Sequence, residues 1–135
     1  MKEKRRFPCR RESVPQARRF AREKLGEEPS QTREAVELMV SELATNCVQH
    51  ARSEFELTIE LSAAEIRVEA RDCGGGRPAL RSPGPREPTG RGLRVVQALA
   101  ASWGIEPRDA GKSVWFTVTR TPEQRGTGRL GRSAA

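Results

Sequence analysis

The chain has 135 residues, 35% of them hydrophobic and 32% charged, with a formal net charge of +7. That length suits one domain with a real core, and no apolar run approaches the roughly 20 residues of a membrane span. Residues 1–11 hold six Lys/Arg against Glu3, and residues 121–135 hold three Arg against Glu123, so the whole positive excess sits at the two ends. A neutral body with basic arms argues against a nucleic-acid surface, and direct nucleic-acid binding is not expected. The basic start is not followed by an apolar stretch, so no secretory signal is expected and the cytoplasm is the expected location. Cys9, Cys47 and Cys73 are widely spaced and accompanied by a single histidine, which excludes a disulfide framework and a structural zinc site.

In chain order, residues 1–12 read as a basic leader with a short edge strand around Phe7. Ser13 is a helix N-cap candidate with Pro15 in the first turn, and the helix runs to Leu25 on an apolar face of Ala17, Phe20, Ala21 and Leu25. The "GEEPS" stretch breaks the chain. A second helix starts near Ser30 or Thr32 and runs to about Ala51, with Val36, Met39, Val40, Leu43 and Cys47 as its core stripe. "FELTIEL" (55–61) and "EIRVEARD" (65–72) alternate strictly and predict a hairpin. Residues 73–89 hold four Gly and four Pro in a long loop of the kind that carries function. A third helix is expected from about Gly90 to Ser102, carrying Leu93, Val96, Leu99 and Ala100. "WGIEP" predicts a short strand and "GKSVWFTVTR" a final alternating one. Residues 13–120 form the predicted domain, and 121–135, rich in Gly, Arg and Ser, a disordered basic tail.

Four stretches carry chemistry. In "SELATNCVQHA" (41–51), Glu42, Asn46 and His50 recur every four residues along one flank of the second helix. Asn46 falls at the margin of the buried stripe, where an unsatisfied amide costs on the order of 1–3 kcal/mol. It is either satisfied by local backbone or an oxygen ligand for Mg²⁺, with Glu42 one turn away as a candidate general base. His50 is expected to be buried and hydrogen-bonded. "DCGGG" (72–76) is either a plain turn or a strand-end carboxylate facing an amino group on a flat base, with Gly74 and Gly76 allowing close approach. "TGRGL" (89–93) opens a helix with backbone N–H groups that favour phosphate. "GKS" (111–113) precedes a strand and is not a P-loop, because the upstream glycine and the following helix are missing.

Taken together and in this order, the four stretches resemble the GHKL ATPase superfamily of gyrase, histidine kinases and anti-sigma-factor serine kinases. "ELATNCVQHA" is similar to its N box, "DCGGG" to its G1 box, "TGRGL" to its G2 box and "GKSVWF" to its final strand signature. The wording is most like actinobacterial anti-sigma-factor kinases over about residues 14–119. The resemblance implies an α/β (α+β) two-layer sandwich, with a mixed, mainly antiparallel sheet and helices on one face. It implies ATP and Mg²⁺ as cofactors, Glu42 as catalytic base and Asn46 as metal ligand. Asp72 would bind the adenine amino group beside Gly74 and Gly76, while Gly90, Arg91, Gly92 and Leu93 would face the phosphates. Lys112 and Ser113 would complete the base or phosphate side, Ser113 standing where the family more often has Thr. The implied function is a serine/threonine protein kinase that phosphorylates a STAS-type antagonist and binds a sigma factor, with a homodimer among its expected assemblies and no membrane contact. Its rivals are a non-catalytic module that sequesters a partner and, through the basic ends, a nucleic-acid-binding protein.

Overall fold

The computed structural model describes residues 1–74 and 93–120. Strands β1 (Lys2–Phe7), β2 (Phe55–Leu61), β3 (Glu65–Asp72), β4 (Ser102–Pro107) and β5 (Lys112–Thr119) form one sheet in the order β1-β2-β3-β5-β4. Helices α1 (Ser13–Lys24), α2 (Ser30–Asn46) and α3 (Arg94–Leu99) complete the described elements. The fold is α+β, and every described strand pairing is antiparallel, in line with the mainly antiparallel sheet expected.

Alternation decides the layering. Phe55, Leu57 and Ile59 of β2, Ile66, Val68 and Ala70 of β3, and Val114 and Phe116 of β5 are buried in one core. The predicted stripes of α1 and α2 close that core from the helical side: Ala17, Phe20, Ala21 and Leu25, then Val36, Met39, Val40, Leu43 and Cys47. The intervening strand positions face the other way, so one sheet face carries the helices and the other is polar.

The leader holds the edge strand expected around Phe7, and more of it than foreseen. Its residues 2–7 form a full strand against β2, with Phe7 directly opposite Phe55. Phe7 is buried, stacks on Phe55 at 5.3 Å between ring centroids, and meets Phe20 edge-on at 6.1 Å. The polar residues of β1 are tolerated because an edge strand needs only one apolar anchor here. Its charges answer those beside it, as in Arg6 Nη1 to Glu54 Oε2 at 2.9 Å. Ser13 does not cap α1 from outside; it lies in the first turn, and its hydroxyl donates to the Pro8 carbonyl at 2.6 Å.

The second helix changes character at its end. After Asn46 the chain makes a π-turn over Cys47–Ala51, closed by the Arg52 N–H on the Cys47 carbonyl, with Arg52 at φ 54. A π-turn takes about one residue more per turn, so it rotates the positions that follow it. His50, expected in the core, is therefore exposed. The third helix is shorter than expected. Ala100 turns extended, the Ala101 N–H donates to the Thr117 carbonyl, and Ser102 begins β4, so pairing with β5 takes the chain before a further helical turn can form. Leu93 and Val96 are buried as expected, but Leu99 is exposed. Gly76, Gly90, Arg91, Gly92 and the tail from residue 121 lie outside the described residues.

Candidate nucleotide site

A small cleft, with an internal volume of about 10 Å³, opens where the C-terminal end of α2 and its π-turn meet the ends of β3 and β5. Leu43, Cys47, Ala51, Ala70 and Val114 give it apolar walls, and Asn46, Asp72 and Lys112 are its polar residues. Each wall follows from an element already described: Ala70 and Asp72 share the inward side of β3, and Lys112 and Val114 the inward side of β5.

Asp72 is 2% exposed. Its Oδ1 accepts the Gly74 N–H at 3.0 Å and the Lys112 N–H at 3.3 Å, and its Oδ2 lies 3.7 Å from Lys112 Nζ. Two glycines make this geometry feasible. Gly74 has φ +66 and a Cβ there would come within 2.8 Å of the Ala110 carbonyl carbon; Gly111 has φ +94 and a Cβ there would meet Asp72 Oδ1 at 1.9 Å. Both positive φ values lie where only glycine sits without strain. The strand-end turn after Asp72 and the turn before β5 thus grip one carboxylate between them.

Asn46 is 8% exposed, and its Nδ2 is buried with no hydrogen-bond partner. An orphaned amide at a cleft wall is costly unless a ligand satisfies it, and a half-turn of the side chain would present the amide oxygen instead. The neighbouring Cys47 thiol is pushed well above its ordinary pKa by burial, with the Asp72 charge adding to the effect. It is an inert wall, not a nucleophile. Among the described residues, no group of three His, Cys, Asp or Glu gathers to hold a metal. The donor set therefore fits Mg²⁺ only as that ion is usually held at phosphates, by waters and few protein oxygens, with Asn46 as one ligand.

Glu42 lies one turn before Asn46, but its carboxylate is engaged. Oε1 accepts the Val96 N–H at 3.1 Å and Oε2 the Val95 N–H at 3.4 Å, so Glu42 caps the first turn of α3. Negative charge at that position suits the unpaired amides and the helix dipole. Leu93, just before α3, is fully buried and packs in the core; its side chain is an anchor for the segment.

Ser113 is not brought to the cleft. It alternates with Lys112 and Val114, so its hydroxyl lies on the opposite sheet face, where it accepts from Arg108 Nε at 2.9 Å. Glu69 lies on that face as well, bonded by Arg108 Nη2 at 3.0 Å. Burial opposes the Glu69 charge, but the hydrogen bonds from Ser113, Arg67 and Arg108 outweigh it and hold that carboxyl below its ordinary value. Asn46, Asp72, Gly74 and Lys112 thus converge, Glu42 stands beside them, and Ser113 serves the other face. Sequence reasoning gave Gly111 of the GKS stretch no role of its own and did not assign Leu43, Cys47, Ala51, Ala70 and Val114 to the site. The signal for Gly111 was its place ahead of an alternating strand, where a left-handed turn is common.

The model of the histidine kinase-like ATPase domain matches residues 7–118. This chain belongs to that family. No sequence among the curated proteins matches it. Among solved structures, the RsbU and RsbW domains of Rv1364c from Mycobacterium tuberculosis share its fold, with a TM-score of 0.70 at 17% sequence identity. That similarity covers 90% of this chain and 33% of the other, so this chain spans about a third of the length of its structural relative. In this histidine kinase-like ATPase domain, no helix among the described residues is long and apolar enough to cross a membrane.

Proposed function

We propose that this ATPase-family domain is a cytoplasmic, ATP-dependent serine/threonine protein kinase. Its substrate would be a STAS-type antagonist, and its second partner a sigma factor. The unit that carries the activity runs from β1 through β5. The observation that supports this reading most is the cleft itself: a fixed buried carboxylate, an orphaned amide and an ammonium around apolar walls, in a chain that belongs to an ATPase family.

When bound, ATP supplies the γ-phosphoryl group and Mg²⁺ the positive charge that offsets what develops on it. The protein's own residues do the rest. Asp72 accepts from the amino group of the base, because Oδ2 is the oxygen not saturated by backbone N–H groups. Asn46, one turn after Glu42, would hold the metal side through its amide oxygen. Glu42 takes the proton from the attacking hydroxyl. Its Oε2, held at the longer distance of 3.4 Å, can leave Val95 while Oε1 keeps α3 anchored through Val96.

The engaged state of Glu42 favours one rival. A carboxylate that only caps α3 suits a non-catalytic module that sequesters its partner. Transfer of labelled γ-phosphate to a STAS-type protein encoded beside this chain separates the two. The kinase reading expects transfer, reduced about 10²- to 10⁴-fold by Glu42→Gln. A parent chain that binds ATP and its STAS partner but transfers nothing would establish the sequestering module instead.

A further inference from the structure

The Asp72–Lys112 pair carries a more specific reading of the base, which rests on the ATP-binding function proposed above. Among the described residues Lys112 brings the one ammonium of the cleft wall, and its side chain is 13% exposed against 3% for that of Asp72. The carboxylate cannot swing away. Gly74 and Lys112 backbone N–H groups hold Oδ1, and the Gly111 backbone packs against it closely enough to exclude a Cβ. Oδ2 therefore points in a defined direction, with Lys112 Nζ beside it at 3.7 Å. That distance makes an ion pair longer than an optimal hydrogen bond, and an ammonium has three donors to direct. The result is an acceptor and a donor side by side at the end of an apolar slot.

Adenine presents the matching edge: an exocyclic amino donor next to the acceptor N1. A lone carboxylate would satisfy the amino group and leave N1 facing a low-dielectric wall, where an unmatched acceptor is penalised. We propose that Lys112 is a specificity-determining residue whose Nζ donates to N1 of the adenine ring while Asp72 Oδ2 accepts from the amino group. The same lysine limits the desolvation cost of the buried Asp72 charge before any nucleotide arrives.

The test compares calorimetric affinities for ATP and 1-deaza-ATP, in which a C–H replaces N1. The parent chain should bind 1-deaza-ATP about tenfold or more weakly than ATP, the usual scale of a hydrogen bond from a charged donor. Lys112→Met keeps the length of the side chain and removes the donor, so it should bind the two nucleotides within about twofold of each other. Lys112→Arg, which keeps a charged donor, should restore part of the discrimination. Equal affinity of the parent for the two nucleotides overturns the proposal without needing any variant. So does a folded Lys112→Met chain that discriminates as the parent does. A parent that binds ATP and rejects the role of N1 leaves the ATP-binding reading intact; a parent that binds neither nucleotide defeats both.

Discussion

Replacing Gly111 by Ala should be among the most damaging single-methyl changes in this molecule. The new Cβ would lie 1.9 Å from Asp72 Oδ1 and 2.9 Å from the Asp72 carbonyl oxygen, at φ +94. The positive φ alone costs a non-glycine residue about 1–2 kcal/mol. Relief of the contact requires the carboxylate to move by more than an ångström. That breaks its bonds from the Gly74 and Lys112 N–H groups, each worth about 1.5–3 kcal/mol because the acceptor is charged. A loss of about 4 kcal/mol or more follows, a large share of the roughly 5–15 kcal/mol that holds a domain folded. Urea unfolding of four proteins isolates the cause: the parent, Gly111→Ala, Asp72→Ala and the double variant. With Asp72 truncated, the clashing Oδ1 is gone, and Gly111→Ala should cost only its backbone part, the contact with the Asp72 carbonyl oxygen included. The two substitutions should therefore be strongly non-additive. A loss under about 1 kcal/mol in the parent, or equal losses in the two backgrounds to within about 0.5 kcal/mol, would refute the proposed grip of the two turns on the carboxylate.

Other expectations follow from single contacts. Glu42→Ala removes the anion that accepts two α3 amides and should cost about 1 kcal/mol in denaturant unfolding, whereas Glu42→Gln keeps one acceptor oxygen and should cost less. Equal stability of all three chains would show that the cap contributes nothing. Arg120→Ala leaves the Glu28 carboxylate, 3% exposed, without the guanidinium that donates to it at 2.8 Å. That should destabilise the fold by about 3–5 kcal/mol, and a loss below about 1 kcal/mol in the same assay would contradict it.

Much of the fold was legible because its signals are periodic. The stripes on α1 and α2 and the alternation in β2, β3 and β5 name the core residues directly. Ser113 shows where a motif misleads: Val114 and Phe116 face the core, so period two already sends Ser113 to the other side of the sheet. Reading "GKS" as one functional group overrode that rule. The π-turn was not legible, because the apolar pattern of α2 runs on through Cys47 and nothing in the residues marks the extra one. Strand β1 was legible only around Phe7, and its charges hid its full length from Lys2, since an edge strand anchored by Phe7 has no need to alternate. The early end of α3 is a tertiary effect: β5 claims Ala101 and Ser102, and local propensity there does not decide. Glu42 was placed correctly on its helix flank, but its bonds to α3 join residues more than fifty positions apart, which no local pattern records.

The cleft of Asn46, Asp72 and Lys112 as an ATP site is tested most directly by calorimetric titration with ATP, with and without Mg²⁺. The expected result is saturable binding that tightens when Mg²⁺ is present, with the metal-dependent gain lost in Asn46→Ala and the metal-free affinity largely kept. Absence of ATP binding by the folded parent chain under both conditions would contradict the assignment.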